Sequence, residues 1–257
     1  MNVLVCCKPV PRGIRSVKLL ESKGTVECEG VSFLMNECDE YALEAALLWK
    51  KRLGAEVTVL TVGGIRFQDI LYLALAKGAD KAIRIDADQR DSGIIAHIIA
   101  EAVKEKDYDL IITGVESEDN MATQVSILLA EKLGWPFALA VTKVDFGENQ
   151  YLIKVTTEIG GGIQEELEIR LPAVLAIQSG ITLLSYAAPA KIMRARKMPL
   201  GSKSLRELGI KLDEWEAKRA KIISVFDPPK ADYAEIVSGS PEQIAEKIMS
   251  KVKHALG

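Results

Sequence analysis

The sequence predicts an α/β fold: a mostly parallel, doubly wound sheet with helices on both faces, an antiparallel patch and a C-terminal helical arm. Three observations carry this. Short apolar runs alternate with helix-length amphipathic stretches up to Gly134, an order that implies parallel strands joined by covering helices. The run Leu110-Ile111-Ile112 is apolar throughout, as a strand buried on both faces requires. Past Pro136 the helical spacing stops, and three strand-like segments follow at hairpin spacing.

Composition narrows the class. The chain has 257 residues, enough for one large domain or a domain with an extension. An apolar fraction of 48% with few aromatics suits a core of Ala, Val, Ile and Leu. A formal charge of −3 gives no sign of a nucleic-acid partner. Cys6, Cys7, Cys28 and Cys38 lack zinc-ligand spacing, so no metal site is expected, and reduced thiols in a cytoplasmic protein are the expected state. The chain opens directly on a strand, so no signal peptide is expected, and no apolar run reaches the roughly 18 residues of a membrane span. His97 and His254 are the only histidines. A histidine-based catalytic site is therefore not expected, and His97, among Ile94, Ile95, Ile98 and Ile99, reads as structural or solvent-facing.

The elements follow in order. Asn2 to Cys7 is a strand, and Lys8-Pro9-Val10-Pro11 precludes a helix directly after it; an irregular charged segment is expected to about Gly30. Asn36 is the expected N-cap of a helix with Cys38, Tyr41, Ala45 and Leu48 on one face, ended by Gly54. Glu56 to Val62 is a strand closed by Gly63-Gly64, where backbone can approach a ligand or simply turn. Ile70, Leu71, Ala74 and Leu75 mark a helix ended by Gly78, and Lys81 to Ile85 a strand. Ser92 is the expected cap of a helix running to Glu105. Phe137 to Val144, Tyr151 to Thr157 and Glu165 to Ile169 form the antiparallel patch, and Ala173 to Gln178 reads as the final buried strand. Residues 1–226 are expected to form the α/β domain and 227–257 an arm, in which Ser240-Pro241-Glu242-Gln243 is a capping box and Ile244, Ile248 and Val252 need cover.

The candidate site is the stretch from Asp109 to Pro136. A buried strand stops at Gly114, a polar loop Glu116-Ser117-Glu118-Asp119 follows, and a helix is expected to begin near Asn120. Such a turn places backbone N–H groups and a positive helix end at the carboxyl edge of a sheet, where a phosphate can bind. The helix end alone contributes about 0.3–1 kcal/mol where micromolar affinity needs about 8, so other loops must close over a ligand. A second charged stretch, Lys191, Arg194, Arg196 and Lys197 around Ile192, Met193 and Met198, reads either as a solvated helix face or as a surface offered to an acidic partner.

Taken together, the short blocks of the chain resemble the electron-transfer flavoprotein β-subunit family over nearly the whole length. The resemblance is carried by Val3-Leu4-Val5-Cys6-Cys7-Lys8, Met35-Asn36 to Glu44, Ala74 to Asp80, Gly114 to Gln124, Glu158 before a glycine run, Leu171-Pro172-Ala173-Val174, Tyr186-Ala187 with Ile192-Met193-Arg194-Ala195, and Asp227-Pro228-Pro229. It implies the adenine-nucleotide-binding version of the fold, in a heterodimer with an α subunit that holds the FAD carrying electrons. It implies AMP in this subunit, or a second FAD in electron-bifurcating members. Nucleotide contacts would fall at Cys6, at Asn36, Glu37, Cys38 and Asp39, at Val62, and at Gly114, Val115, Glu116, Ser117, Glu118, Asp119, Asn120, Met121, Ala122, Thr123, Gln124 and Val125. Glu158 would help hold the partner's mobile flavin domain. Tyr186, Pro189, Ile192, Met193, Arg194, Arg196 and Lys197, within a segment 179–200, would dock on acyl-CoA dehydrogenases or related flavoproteins. Pro189 stands where the family has an anchoring leucine, and Met121 and Ala122 where it has an acidic residue and Thr or Asn.

The implied function is that of an electron carrier with no catalytic residues of its own, passing electrons from dehydrogenases to a downstream flavoprotein or quinone reductase. The competing class is a homodimeric nucleotide-binding stress or regulatory protein of related topology. An ATP-hydrolysing enzyme is disfavoured, because no Gly-x-x-x-x-Gly-Lys-[Ser/Thr] loop is present.

Overall fold

The computed structural model describes residues 1–13, 16–20, 25–89, 91–211, 223–226, 229 and 234–256. The chain opens with β1 (Asn2–Cys6) and four short strands, β2 (Pro9–Arg12), β3 (Ser16–Leu20), β4 (Thr25–Glu29) and β5 (Ser32–Met35). Then come α1 (Glu37–Leu53), β6 (Glu56–Val62), α2 (Gln68–Lys77), β7 (Lys81–Asp86), α3 (Ser92–Val103), β8 (Leu110–Gly114) and α4 (Val125–Leu133). The second half runs β9 (Phe137–Phe146), β10 (Leu152–Gly160), β11 (Ile163–Arg170), β12 (Ala173–Ile177), α5 (Pro189–Ala195), β13 (Gly201–Ser204) and α6 (Pro241–Leu256).

A nine-stranded sheet has the order β11-β10-β9-β12-β8-β1-β6-β7-β13. β1 lies parallel between β6 and β8, and β12 lies parallel between β8 and β9. The chain winds outward from β1 through β6 to β7, then returns to β8 on the other side of β1. The carboxyl ends of β1 and β8 are therefore the point where strand order reverses, the place at which open α/β sheets bind ligands. The expected antiparallel patch is present, as β9, β10 and β11 pair antiparallel at one edge. The outermost strand, β11, carries Glu165, Glu166 and Glu168 on exposed positions, with Glu168 opposite Lys154.

Strand pleating sorts the core into two layers. Val3, Val5, Val57, Val59, Leu110 and Ile112 pack on one face with Leu43 and Ala46 of α1 and Leu71 and Ala74 of α2. Leu4, Cys6, Leu60 and Ile111 pack on the other with Ile94 and Ile98 of α3 and Leu129 and Ala130 of α4. β12 is buried along its length, as its unbroken apolar run requires.

Three local expectations are corrected. The segment after β1 is not irregular: β2 pairs antiparallel with β5, and β3 pairs with β4. Prolines are tolerated in β2 because it belongs to a separate two-stranded ribbon with a free edge. α3 is capped by Asp91, whose carboxylate accepts the N–H groups of Gly93 (2.9 Å) and Ile94 (3.0 Å), and Ser92 lies inside the helix. Asn36 is the N-cap of α1, as expected, although its side-chain amide makes its bonds to the loop after β8 rather than to the helix. β12 is not the last strand: Gly201–Ser204 adds to β7, and its polar composition concealed it.

Contacts divide the chain into two compact units, 1–18 with 27–222, and 19–26 with 223–257. In the second unit the capping box of α6 closes as expected: Ser240 N–H donates to Gln243 (3.0 Å) and Gln243 N–H to the Ser240 hydroxyl (3.4 Å). Ile248 and Val252 of its apolar stripe nonetheless stay 48% and 44% exposed. The Asp227-Pro228 pair lies outside the described residues.

Leu43 is fully buried between α1 and the sheet. Leu43→Ala is expected to lower stability by about 2–5 kcal/mol, read as a lower urea midpoint with an unchanged slope.

Candidate functional site

A cleft opens at the carboxyl ends of β1, β6 and β8. Its floor and walls include Cys6, Cys7, Leu60, Val62, Thr113 and Gly114 from the strands and Ser92, Ile95 and Ile99 from α3. Val115, Glu116, Ser117, Asn120, Ala122, Thr123, Gln124, Val125 and Ser126 line it from the loop after β8 and the start of α4, with Lys8 and Asp39 at the side. The inner wall is aliphatic and the loop wall is polar, as suits a ligand with one flat apolar end and one charged end.

Asp39 ties the rim together. Its two carboxylate oxygens accept the backbone N–H groups of Lys8 (2.7 Å) and Gly114 (2.8 Å), one from each side of the switch point. Burial pushes this carboxyl up to about 7, against the pull of those two N–H groups, of Asn36 and of the Lys8 charge. Gly114 has no room for a side chain, since a Cβ would lie 2.5 Å from Asp39 Oδ1 and 2.6 Å from Cys38 Cβ. Burial, with the Asp39 charge adding to it, raises the thiols of Cys6 and Cys7 well above their ordinary range; they stay protonated and serve as small lining groups.

The acidic loop is neutralised from below. Lys8 Nζ reaches Asp119 (2.6 Å) and the Ser117 hydroxyl (3.0 Å), and Arg12 reaches Glu118 (2.6 Å). The Asn36 amide donates to the Glu116 carbonyl (2.8 Å) and accepts the Glu118 N–H (3.1 Å). With Glu118 and Asp119 held in ion pairs, less negative charge opposes an anion in the cleft. Met121 and Thr123 take positive φ angles of 47° and 54°, a conformation costing about 1–2 kcal/mol for a residue with Cβ. Strain of that kind clusters at ligand-binding loops.

The helix after the loop begins at Val125, not near Asn120. The loop competes with helix through turns of its own: Ser117 donates to Asn120 Oδ1 (2.7 Å) and Met121 N–H to the Ser117 carbonyl (2.8 Å). Gln124 caps α4 without a side-chain bond. Of the two helices that open on the cleft, α3 has first-turn N–H groups taken by Asp91, whereas α4 presents its first turn without a side-chain cap. The polar end of a ligand is therefore drawn to α4.

Most residues predicted for the site converge here. Asn36 and Glu118 act beneath the loop, Asp119 pairs with Lys8, the Glu37 N–H donates to Glu118 (3.3 Å), Cys38 packs against Gly114, and Met121 points outward, 66% exposed. Sequence reasoning missed Cys7, Lys8, Leu60, Ser92, Ile95, Ile99, Thr113 and Ser126. Neighbours of a predicted rim residue on the same strand end would have found four of them, but nothing in the pattern of α3 marks its cleft-facing side.

The chain matches the model of a family described as electron transfer flavoprotein domain over residues 24–207. It is 30% identical to the electron transfer flavoprotein subunit beta of Methylophilus methylotrophus, over 100% of both chains. It is likewise 30% identical to that of Bacillus subtilis, over 92% of both. With the caffeyl-CoA reductase-Etf complex subunit CarD of Acetobacterium woodii it shares 29% identity over 98% of both chains. The chain belongs to the electron transfer flavoprotein β-subunit family.

The residues that the family resemblance assigned to docking lie away from the cleft. Glu158 is exposed near the end of β10, before the triglycine turn. Pro189 opens α5 at its first positions; Tyr186 (84%) and Met193 (59%) are exposed. Ile192 is half-buried, and Arg194 and Lys197 are exposed. Arg196 is not free: it pairs with Asp69 at the start of α2 (3.2 Å). Among the described residues no helix is long and apolar enough to cross a membrane.

Two outcomes follow for this flavoprotein subunit. Gly114→Ala must displace backbone or the Asp39 carboxylate, so the purified protein is expected to melt several degrees lower, measured by thermal scanning. The raised Asp39 pKa means the native chain holds a proton between about pH 4 and pH 7 that the unfolded chain has lost. Its stabilising contribution is full below the unfolded value and is lost as pH rises through 7. In Asp39→Asn that component disappears, so urea midpoints at pH 5 and pH 8 should differ less than in the parent.

Proposed function

We propose that this chain is the β subunit of a heterodimeric electron carrier, that it holds AMP in the cleft at the β1/β8 switch point, and that it lends surface to an α subunit bearing the redox-active FAD. The observation that carries the reading is the convergence of residues 114–125 with the ends of β1 and β6 on one cleft, in a chain of this family. The cleft fits an adenine nucleotide in kind. Leu60, Val62, Ile95 and Ile99 offer an apolar slot for a flat base, Ser117, Asn120 and Thr123 offer polar groups at its mouth, and the first turn of α4 offers N–H groups to a phosphate. FAD on the α subunit supplies the electron-carrying chemistry, since flavin reactions belong to the cofactor and the protein supplies position and electrostatics.

In this reading AMP is a structural ligand. It stabilises the folded state by occupancy, by about 2.7 kcal/mol at a hundredfold excess over Kd, and takes no part in redox steps. Glu158 steadies the flavin-bearing domain of the partner, and the exposed apolar and basic groups around α5 dock on acyl-CoA dehydrogenases or related flavoproteins. The chain makes and breaks no bonds, and electrons move onward to a downstream flavoprotein or quinone reductase. A second reading, an electron-bifurcating subunit with FAD in place of AMP, is favoured by Met121 and Ala122, which stand where the family has an acidic residue and Thr or Asn.

Denaturing the purified heterodimer and identifying the released nucleotides by mass separates these readings. One FAD and one AMP per heterodimer are expected; two FAD would overturn the AMP assignment, and a colourless homodimer the whole reading. Arg194→Glu is expected to raise the KM for the source organism's acyl-CoA dehydrogenase about tenfold and to flatten the salt dependence of the rate. An unchanged KM would remove α5 from docking.

A further inference from the structure

Segment 183–198 presents five large apolar side chains to solvent, Leu183 (90% exposed), Leu184 (39%), Tyr186 (84%), Met193 (59%) and Met198 (43%). A loop offering that much apolar surface would collapse onto itself unless its backbone were held. Two anchors hold it, one shared by the end of α2 with Glu44 of α1 and one at the start of α2. At the carboxyl end of α2, Lys77 carries an ammonium whose side chain is only 2% exposed. It pairs with Glu40 (2.7 Å) and Glu44 (2.6 Å) of α1 and donates to the Ser185 carbonyl (2.7 Å). Glu44 Oε1 in turn accepts the Ser185 N–H (3.0 Å) and hydroxyl (2.6 Å). At the amino end of α2, Asp69 pairs with Arg196. Between the anchors Ala187 (6%) and Ala195 (2%) are buried, so the backbone is seated while the large side chains point out.

We propose that α2 is a cradle that holds the docking segment in its binding shape, with Lys77 as the positioning residue that clasps its start. The inference rests on the docking role proposed above. The two anchors are unequal. The Asp69–Arg196 pair is half-exposed at both ends and of the kind that adds little. Lys77 is buried, and its charge is compensated only while Glu40, Glu44 and the Ser185 carbonyl surround it. Although burial raises the Glu44 carboxyl, the hydrogen bonds from Lys77 and Ser185 outweigh it and hold the group below its ordinary range, so the clasp stays charged at neutral pH. A segment already ordered loses less freedom when a partner seats on it. The clasp therefore bears on affinity for the partner rather than on electron transfer once docked.

Lys77→Met removes the ammonium, and Ser185→Gly loosens the segment while leaving the Lys77–Glu44 pair in the fold, so the second variant serves if the first fails to assemble. Both are made in the heterodimer and compared with Arg194→Glu. Amide exchange across residues 183–188 is expected to quicken at least tenfold. The KM for the source organism's acyl-CoA dehydrogenase is expected to rise three- to tenfold with kcat unchanged, and Lys77→Arg to restore most of the loss. Unaltered exchange, an unaltered KM, or a fall in kcat alone would overturn the clasp while Arg194→Glu still raises KM. If Arg194→Glu has no effect either, the docking reading fails and the clasp with it.

Discussion

Two backbone N–H groups from opposite sides of the switch point converge on one buried carboxylate, and the rim is organised around that meeting. Lys8 leaves β1 and Gly114 ends β8, and Asp39, in the first turn of α1, accepts from both. The ladder pairs β1 with β8 only as far as Val5 and Ile112, so it does not itself fix the gap between Lys8 and Gly114 beyond that pair. A side chain reaching in from a helix fixes it. The same contact explains Gly114, whose missing Cβ is what lets Asp39 and Cys38 come close. Burying a carboxylate is unfavourable unless it is hydrogen-bonded, and two N–H donors make it tolerable here.

Around that meeting the charges are arranged in tiers. Lys8, Arg12 and Asn36 stand below the loop and hold Asp119, Glu118 and the Glu116 carbonyl. A loop so acidic would ordinarily repel a phosphate; paired from beneath, it becomes a scaffold for its own backbone. The positive φ angles at Met121 and Thr123 and the uncapped turn at Val125 lie above this scaffold. Polar side chains organise the loop, and in the proposed reading its backbone is left to meet the nucleotide. On the far side of the same α/β unit, α2 performs a comparable service for segment 183–198 through Lys77 and Asp69.

What was legible in the sequence had a period or a punctuation mark. The alternation of strands and helices, Gly54 as a left-handed helix end, the buried run of β12 and the capping box at Ser240 all follow from local rules. So did the strand end at Gly114, and with it the place of the cleft. What was illegible depends on groups distant in the chain. Asn36 looks like a helix cap but spends its amide on a loop 80 residues away. β13 has no strand composition because β7 supplies its hydrogen bonds. The start of α4 slipped to Val125 because Ser117 and Asn120 stabilise turns that compete with the helix. Lys77 reads as an ordinary surface lysine near a helix end, and only the fold places two glutamates and Ser185 around it.

The outermost strand has a consequence of its own. Any sheet that ends in an unpaired strand offers its N–H and C=O groups to a passing chain. Glu165, Glu166 and Glu168 line that margin in β11. Two copies meeting there would press carboxylates together, whereas a lysine- or arginine-bearing strand would meet no such repulsion. The margin thereby filters its company by sign, discouraging stacks of identical molecules without sealing the sheet.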